Sequence, residues 1–151
     1  MLASLSVEAA ADVDVAACVF ANRGAEERYF VWEQPDDDAF ALGGLGAVWT
    51  IDGVEADRRF GDAAGRCAEF MRDAVIDRGF SERGEGPVWM GGFAFAARGG
   101  ATPEWATLPS TLLFLPEISL ARRGSRTSAT VNVVCRPGDE PEELWRASAS
   151  R

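Results

Sequence analysis

Spacing of the apolar residues divides the chain into two strand-rich regions with one helical stretch between them. Val13 to Phe20 alternates in part and carries β-branched residues, and Asn22-Arg23-Gly24 follows as a turn signal, which predicts a first strand. RYFVWEQ, Arg28 to Gln34, predicts a second, and Pro35 with three aspartates supplies the turn into a third at Ala39 to Gly44. Ala47 to Ile51 predicts a fourth, ended by Asp52-Gly53. The period then changes. Phe60, Ala63, Ala64, Cys67, Phe70, Met71, Ala74 and Val75 recur at three- and four-residue intervals. They predict one amphipathic helix of about twenty residues, with Asp57 as N-cap and Gly79 as its stop.

Strand signals resume at Pro87 to Phe95, Thr111 to Leu115, Glu117 to Ala121 and Thr127 to Cys135, the last two joined by RRGSR as a hairpin. Pro141-Glu142-Glu143-Leu144-Trp145 reads as the first turn of a helix, with acids at its N-terminus. The order predicts an α+β fold, a largely antiparallel sheet of about eight strands with one long amphipathic helix packed on it. Residues 1–136 are expected to form one domain, and 137–151 the start of a helix or a linker.

With 47% hydrophobic residues, five tryptophans and nine phenylalanines, the chain has the composition of a packed globular protein. A formal net charge of −9 argues against nucleic acid as a partner, because such binding draws on clustered basic residues. The longest apolar run, Val88 to Ala97, is shorter than the ~20 residues of a membrane span, and the N-terminus has no basic segment before an apolar one. A soluble, cytoplasmic protein is expected. Cys18, Cys67 and Cys135 are odd in number and widely separated, so they suggest neither a disulfide framework nor a zinc site.

The chain contains no histidine and no lysine. That removes imidazole triads, imidazole metal ligands, Schiff-base chemistry and amine bases together, since the arginines stay protonated. Gly43-Gly44-Leu45-Gly46 fails as a dinucleotide fingerprint, because the third glycine position holds Trp49. The acidic runs Asp36 to Asp38 and Asp139 to Glu143 read more simply as a solvated turn and a helix start than as magnesium ligands. Glu33 lies in an aromatic strand: facing inward it would need a partner, but the simpler reading is that by alternation it faces water. GPVWMGGFAFAARGG, residues 86–100, is too apolar for a surface loop and carries no reactive group, so something is expected to lie against it.

Three segments in succession carry a resemblance: RYFVWEQPDDDAFALGGLGAVWTI, GPVWMGGFAFAARGG and WATLPSTLLFLPEISLARRGSRTSATVNVV. Together they resemble the N-terminal part of chorismate-binding enzymes, nearest the menaquinone-type isochorismate synthases. The resemblance implies a fold in which two halves of a long chain pack together, with a catalytic lysine, magnesium-binding glutamates and an acid in the later half. It therefore implies a non-catalytic fragment that converts nothing alone, holds no cofactor, and packs against a chorismate-binding half requiring magnesium. Trp89, Gly91, Gly92, Phe93 and Phe95 are the expected interface with that half, with self-association when it is missing. In amino-acid-regulated relatives the strand matched by RYFVWEQ helps form an inhibitor site near Glu33, although Gln34 replaces their serine. The alternatives are a stand-alone domain that binds an aromatic acid or amino acid, and a subunit completed in trans.

Overall fold

A computed structural model describes all residues except 54–56, 79–82, 97–101, 106–107 and 150–151. The order is β1 (Leu2–Ala9), α1 (Val15–Asn22), β2 (Tyr29–Gln34), β3 (Phe40–Leu45), β4 (Trp49–Asp52), α2 (Arg59–Met71), β5 (Val75–Arg78), β6 (Met90–Phe93), β7 (Thr111–Leu115), β8 (Ile118–Arg123), β9 (Arg126–Val134) and α3 (Pro141–Ala149). The α+β class stands, but the single sheet does not. The described strands form a six-stranded sheet, β2-β3-β8-β9-β1-β5, and a three-stranded sheet, β4-β7-β6.

One antiparallel ribbon runs through both sheets. β3 pairs with β8 in the large sheet, and their continuations β4 and β7 pair in the small one. The corner lies at Gly46, which has a φ of 69°, and opposite it at Pro116, which has no amide hydrogen to continue the ladder. Hydrogen bonds bracket the corner: Glu117 N–H donates to the Leu45 carbonyl and Val48 N–H to the Leu115 carbonyl, both at 2.9 Å. Hydrophobic periodicity marks the four strands of the ribbon but not their change of sheet, and so a single sheet was expected.

The helix expected to run for about twenty residues is 13 residues long in the structure. The chain turns at Arg72-Asp73, and Val75, counted as the end of the apolar stripe, instead opens β5, which runs parallel to β1. Asp57 lies in the turn before α2, the N-cap position is Arg58, and no side chain caps the helix. Gly79 lies outside the described residues.

The strand expected at Val13 to Phe20 is a helix. Asp14 Oδ1 accepts from Ala17 N–H at 2.8 Å, an N-cap, and Val15 and Val19, one turn apart, are its buried face. They pack on Gly43, where an added Cβ would come within 2.7 Å of a methyl of each valine. Glycine at 43 thus sets how closely α1 approaches the sheet.

β1 carries no strand signal in hydropathy because its inward residues are mostly polar. Leu2, Ser4 and Ser6 are buried. Ser6 shares a 2.8 Å hydrogen bond with Thr130 on β9, and Gly86 N–H donates to both oxygens from the link that crosses this face. Between the sheets lies a core of Phe40, Leu42, Met90, Phe114 and Ala121, and between the small sheet and α2 a second centred on Ile51 and Ala63.

Candidate functional site

Where the two sheets diverge, a groove of about 250 Å3 opens, lined by Phe30, Trp32 and Phe40 on one side and Trp89 and Met90 on the other. Arg83 stands at its side with the guanidinium 4.6 Å from the centre of the Phe40 ring, held there by a 2.7 Å hydrogen bond to Asp37. Trp89 Nε1 is buried without a hydrogen-bond partner, and so is Gln34 Oε1, which the strand's alternation places on the same face as Trp32. The groove is an aromatic slot with an arginine at its side.

Glu33 alternates with Trp32 and is therefore on the opposite face of β2, the face toward α1, where it is exposed. The residues expected at an interface separate into two groups. Trp89 and Phe93 turn toward α2: the Trp89 ring meets Phe70 edge-on at 5.8 Å, and Phe93 lies 4.7 Å from Phe60. Gly91, Gly92 and Phe95 are exposed, Phe95 completely. Gly91 has a φ of 135°, and a Cβ there would land on the Leu112 carbonyl oxygen, so β7 approaches closely enough to require glycine. A Cβ at Gly92 would meet nothing within 4 Å. The rest of GPVWMGGFAFAARGG, residues 97–100, lies outside the described residues.

β6 is an edge strand, paired with β7 on one side only. It carries none of the charges or prolines with which sheet edges are usually protected. Its exit is fixed by Arg59, a buried residue whose Nη2 donates to the carbonyls of Ala94 and Phe95 at 3.2 Å each. Sequence reasoning passed over Arg59. A basic residue opening a helix stands against the helix dipole, and that was the signal that it serves a contact elsewhere.

The family model described as Chorismate binding enzyme matches residues 1–151. The chain belongs to this family. No curated protein matches it.

The chemistry of this chorismate-binding-family chain is limited by its side chains. The acidic runs are largely engaged: Asp37 pairs with Arg83, Asp38 with Arg123 at 3.3 Å, Asp139 accepts from Arg136 N–H, and Glu142 pairs with Arg146. Among the described residues no three acidic or cysteine side chains converge as a group that could hold a metal ion. Burial pushes the Cys67 thiol up, only partly offset by a backbone hydrogen bond, which disfavours the reactive thiolate. No helix of the described residues is long and apolar enough to cross a membrane.

Proposed function

We propose that this chain is the non-catalytic portion of an isochorismate synthase, serving as the scaffold on which a chorismate-binding catalytic portion assembles. Exchanging a hydroxyl on the chorismate ring calls for a base, an acid and a metal to neutralise carboxylates. The observation that carries the reading is a family match over 1–151 in a chain without lysine or histidine and, among the described residues, without a metal-binding cluster. The docking surface in this reading is the open edge of β6 with the fully exposed Phe95. Magnesium belongs to the catalytic portion.

The test has two steps. The isolated chain is assayed with chorismate and magnesium, and then mixed with a polypeptide carrying the lysine and glutamates of the family. No turnover alone, and a stable complex that converts chorismate to isochorismate, is expected. Turnover by the chain alone, or no complex with the catalytic polypeptide, overturns the proposal.

The aromatic groove with Arg83 at its side favours a second reading, a binding domain for a small aromatic acid. Calorimetry with chorismate and with tryptophan separates the two, because the scaffold reading expects no saturable heat from the isolated chain.

A further inference from the structure

The large sheet also ends in an open edge, and this one is rich in aromatic side chains. β2 stands last in the order of strands and pairs with β3 alone. Gly46 N–H donates to the Arg28 carbonyl at 2.9 Å, so Arg28 turns its peptide groups toward β3. Successive residues of a strand turn theirs to opposite sides, and hence Tyr29, Val31 and Glu33 present N–H and C=O to the free edge. Among the described residues these groups have no hydrogen-bond partner.

The side chains along this edge are self-complementary. Tyr29, Val31 and Glu33 lie on the face toward α1, and Phe30, Trp32 and Gln34 on the other. Arg23, just past the end of α1, has its guanidinium 4.7 Å from the centre of the Tyr29 ring and 5.5 Å from that of Phe20. Arg23 and Glu33 are both exposed, and neither forms an ion pair among the described residues. A cation and an anion without partners thus stand near opposite ends of one edge strand, on the same face.

We propose that β2 is a self-association edge, to which a second copy of this chain adds its own β2, antiparallel, about a two-fold axis at Val31. Outward-facing peptide groups must meet outward-facing ones. The register that uses the whole strand sets Val31 against Val31 and Tyr29 against Glu33 of the second copy, and each pair exchanges both of its main-chain hydrogen bonds. Phe30 then opposes Trp32 of the second copy on the groove face, an aromatic pair that the symmetry repeats. On the other face Glu33 of the second copy arrives beside Tyr29, where the Arg23 guanidinium lies. Other registers are worse: a slip of two residues sets Glu27 against Glu33, or brings Pro35, which has no N–H, opposite Tyr29. A charge on an edge strand ordinarily guards it, and Glu33 guards this one against any partner without a cation opposite. The β2 edge belongs to the other sheet from β6, and the inference does not depend on the scaffold reading.

Sedimentation velocity of the chain over a range of concentrations tests the proposal, and a reversible dimer is expected. Glu33→Arg, which brings two cations together at each end of the contact, weakens the dimer by about tenfold or more. Arg23→Glu alone weakens it as well, and the two changes combined restore the attraction, giving a tighter dimer than either single variant. Glu33→Pro removes an outward N–H that the fold does not use and abolishes the dimer, since proline is tolerated on an edge strand. Phe95→Ser, at the β6 edge, leaves the dimer unchanged, and circular dichroism checks that each variant is folded. A monomer at every concentration up to about 1 mM overturns the proposal. A dimer that survives Glu33→Pro does so too, as does a charge swap no tighter than the single reversals. Loss of the dimer in Phe95→Ser overturns it and assigns the contact to β6.

Discussion

The two sheets bury different chemistry. On its inner face the six-stranded sheet holds Ser4, Ser6, Ser119, Ser128, Thr130 and Asn132, whereas the three-stranded sheet is packed on α2 through Ile51, Leu113, Trp89 and Phe93. In the first, specificity comes from directed bonds, such as Asn132 Nδ2 donating to the Pro116 carbonyl at 2.9 Å. In the second it comes from ring geometry: Trp49 stacks on Phe70 at 4.8 Å, and Phe70 in turn meets Trp89. The small layer relies on few contacts and leaves its edge open. The large layer is broader, and α1 and α3 cover parts of one face of it. What the two share is reliance on glycine where backbones approach closely.

Gly91→Ala should therefore give the largest effect, a loss of about 3 kcal/mol in denaturant unfolding, because φ and the Leu112 carbonyl both oppose a side chain. Its neighbour sharpens the point: Gly92→Ala, with open space around it, should stay within about 0.5 kcal/mol of the parent. Equal costs at the two positions would mean that the approach of β7 does not hold the small layer.

In the large layer, Gly43→Ala should cost about 2 kcal/mol by pushing Val15 and Val19 off the sheet. Pairing it with Val19→Ala should recover part of the loss, and strict additivity would break the explanation. Asp14→Ala removes the cap of α1 and should cost about 1 kcal/mol, read as earlier hydrogen exchange at the amide of Ala17 than in the parent.

The smallest effect is one of pH. Glu104 is held below the usual glutamate range, first by a hydrogen bond from the Thr102 side chain and then by one from the backbone. A carboxyl lowered in the folded state adds stability that is present above its unfolded pKa and is lost as pH falls through the folded one. The group is fully exposed, so the readout is the NMR titration midpoint of its carboxyl rather than a melting curve. Thr102→Val should raise that midpoint, and no change would remove the threonine as the cause.

The strands that were legible in sequence, β2, β3, β4, β6, β7, β8 and β9, are rich in aromatic or β-branched residues or bounded by proline and glycine turns. Those missed have physical reasons. β1 turns serines inward, so its apolar residues do not follow the buried face. α1 shows the valines of a strand, but Asp14 caps it and the Val15–Val19 spacing of one turn is what the sheet receives. β5 extends the helical pattern of α2 by coincidence of Ala74 and Val75. Site residues were harder to see. The glycines of β6 were conspicuous, while Arg59, Arg83 and the edge position of Glu33 acquire meaning only once the packing and the strand order are known.

The ribbon that turns its corner at Gly46 and Pro116 has a consequence for how the molecule comes apart. Since β3–β4 and β7–β8 are each shared between the layers, neither sheet can release its strands without pulling on the ladder of the other. Native-state exchange should accordingly find amides on the two sides of the bend, at Val48 and Glu117, opening at one common free energy, and melting should register a single cooperative unit where inspection of the layers suggests two.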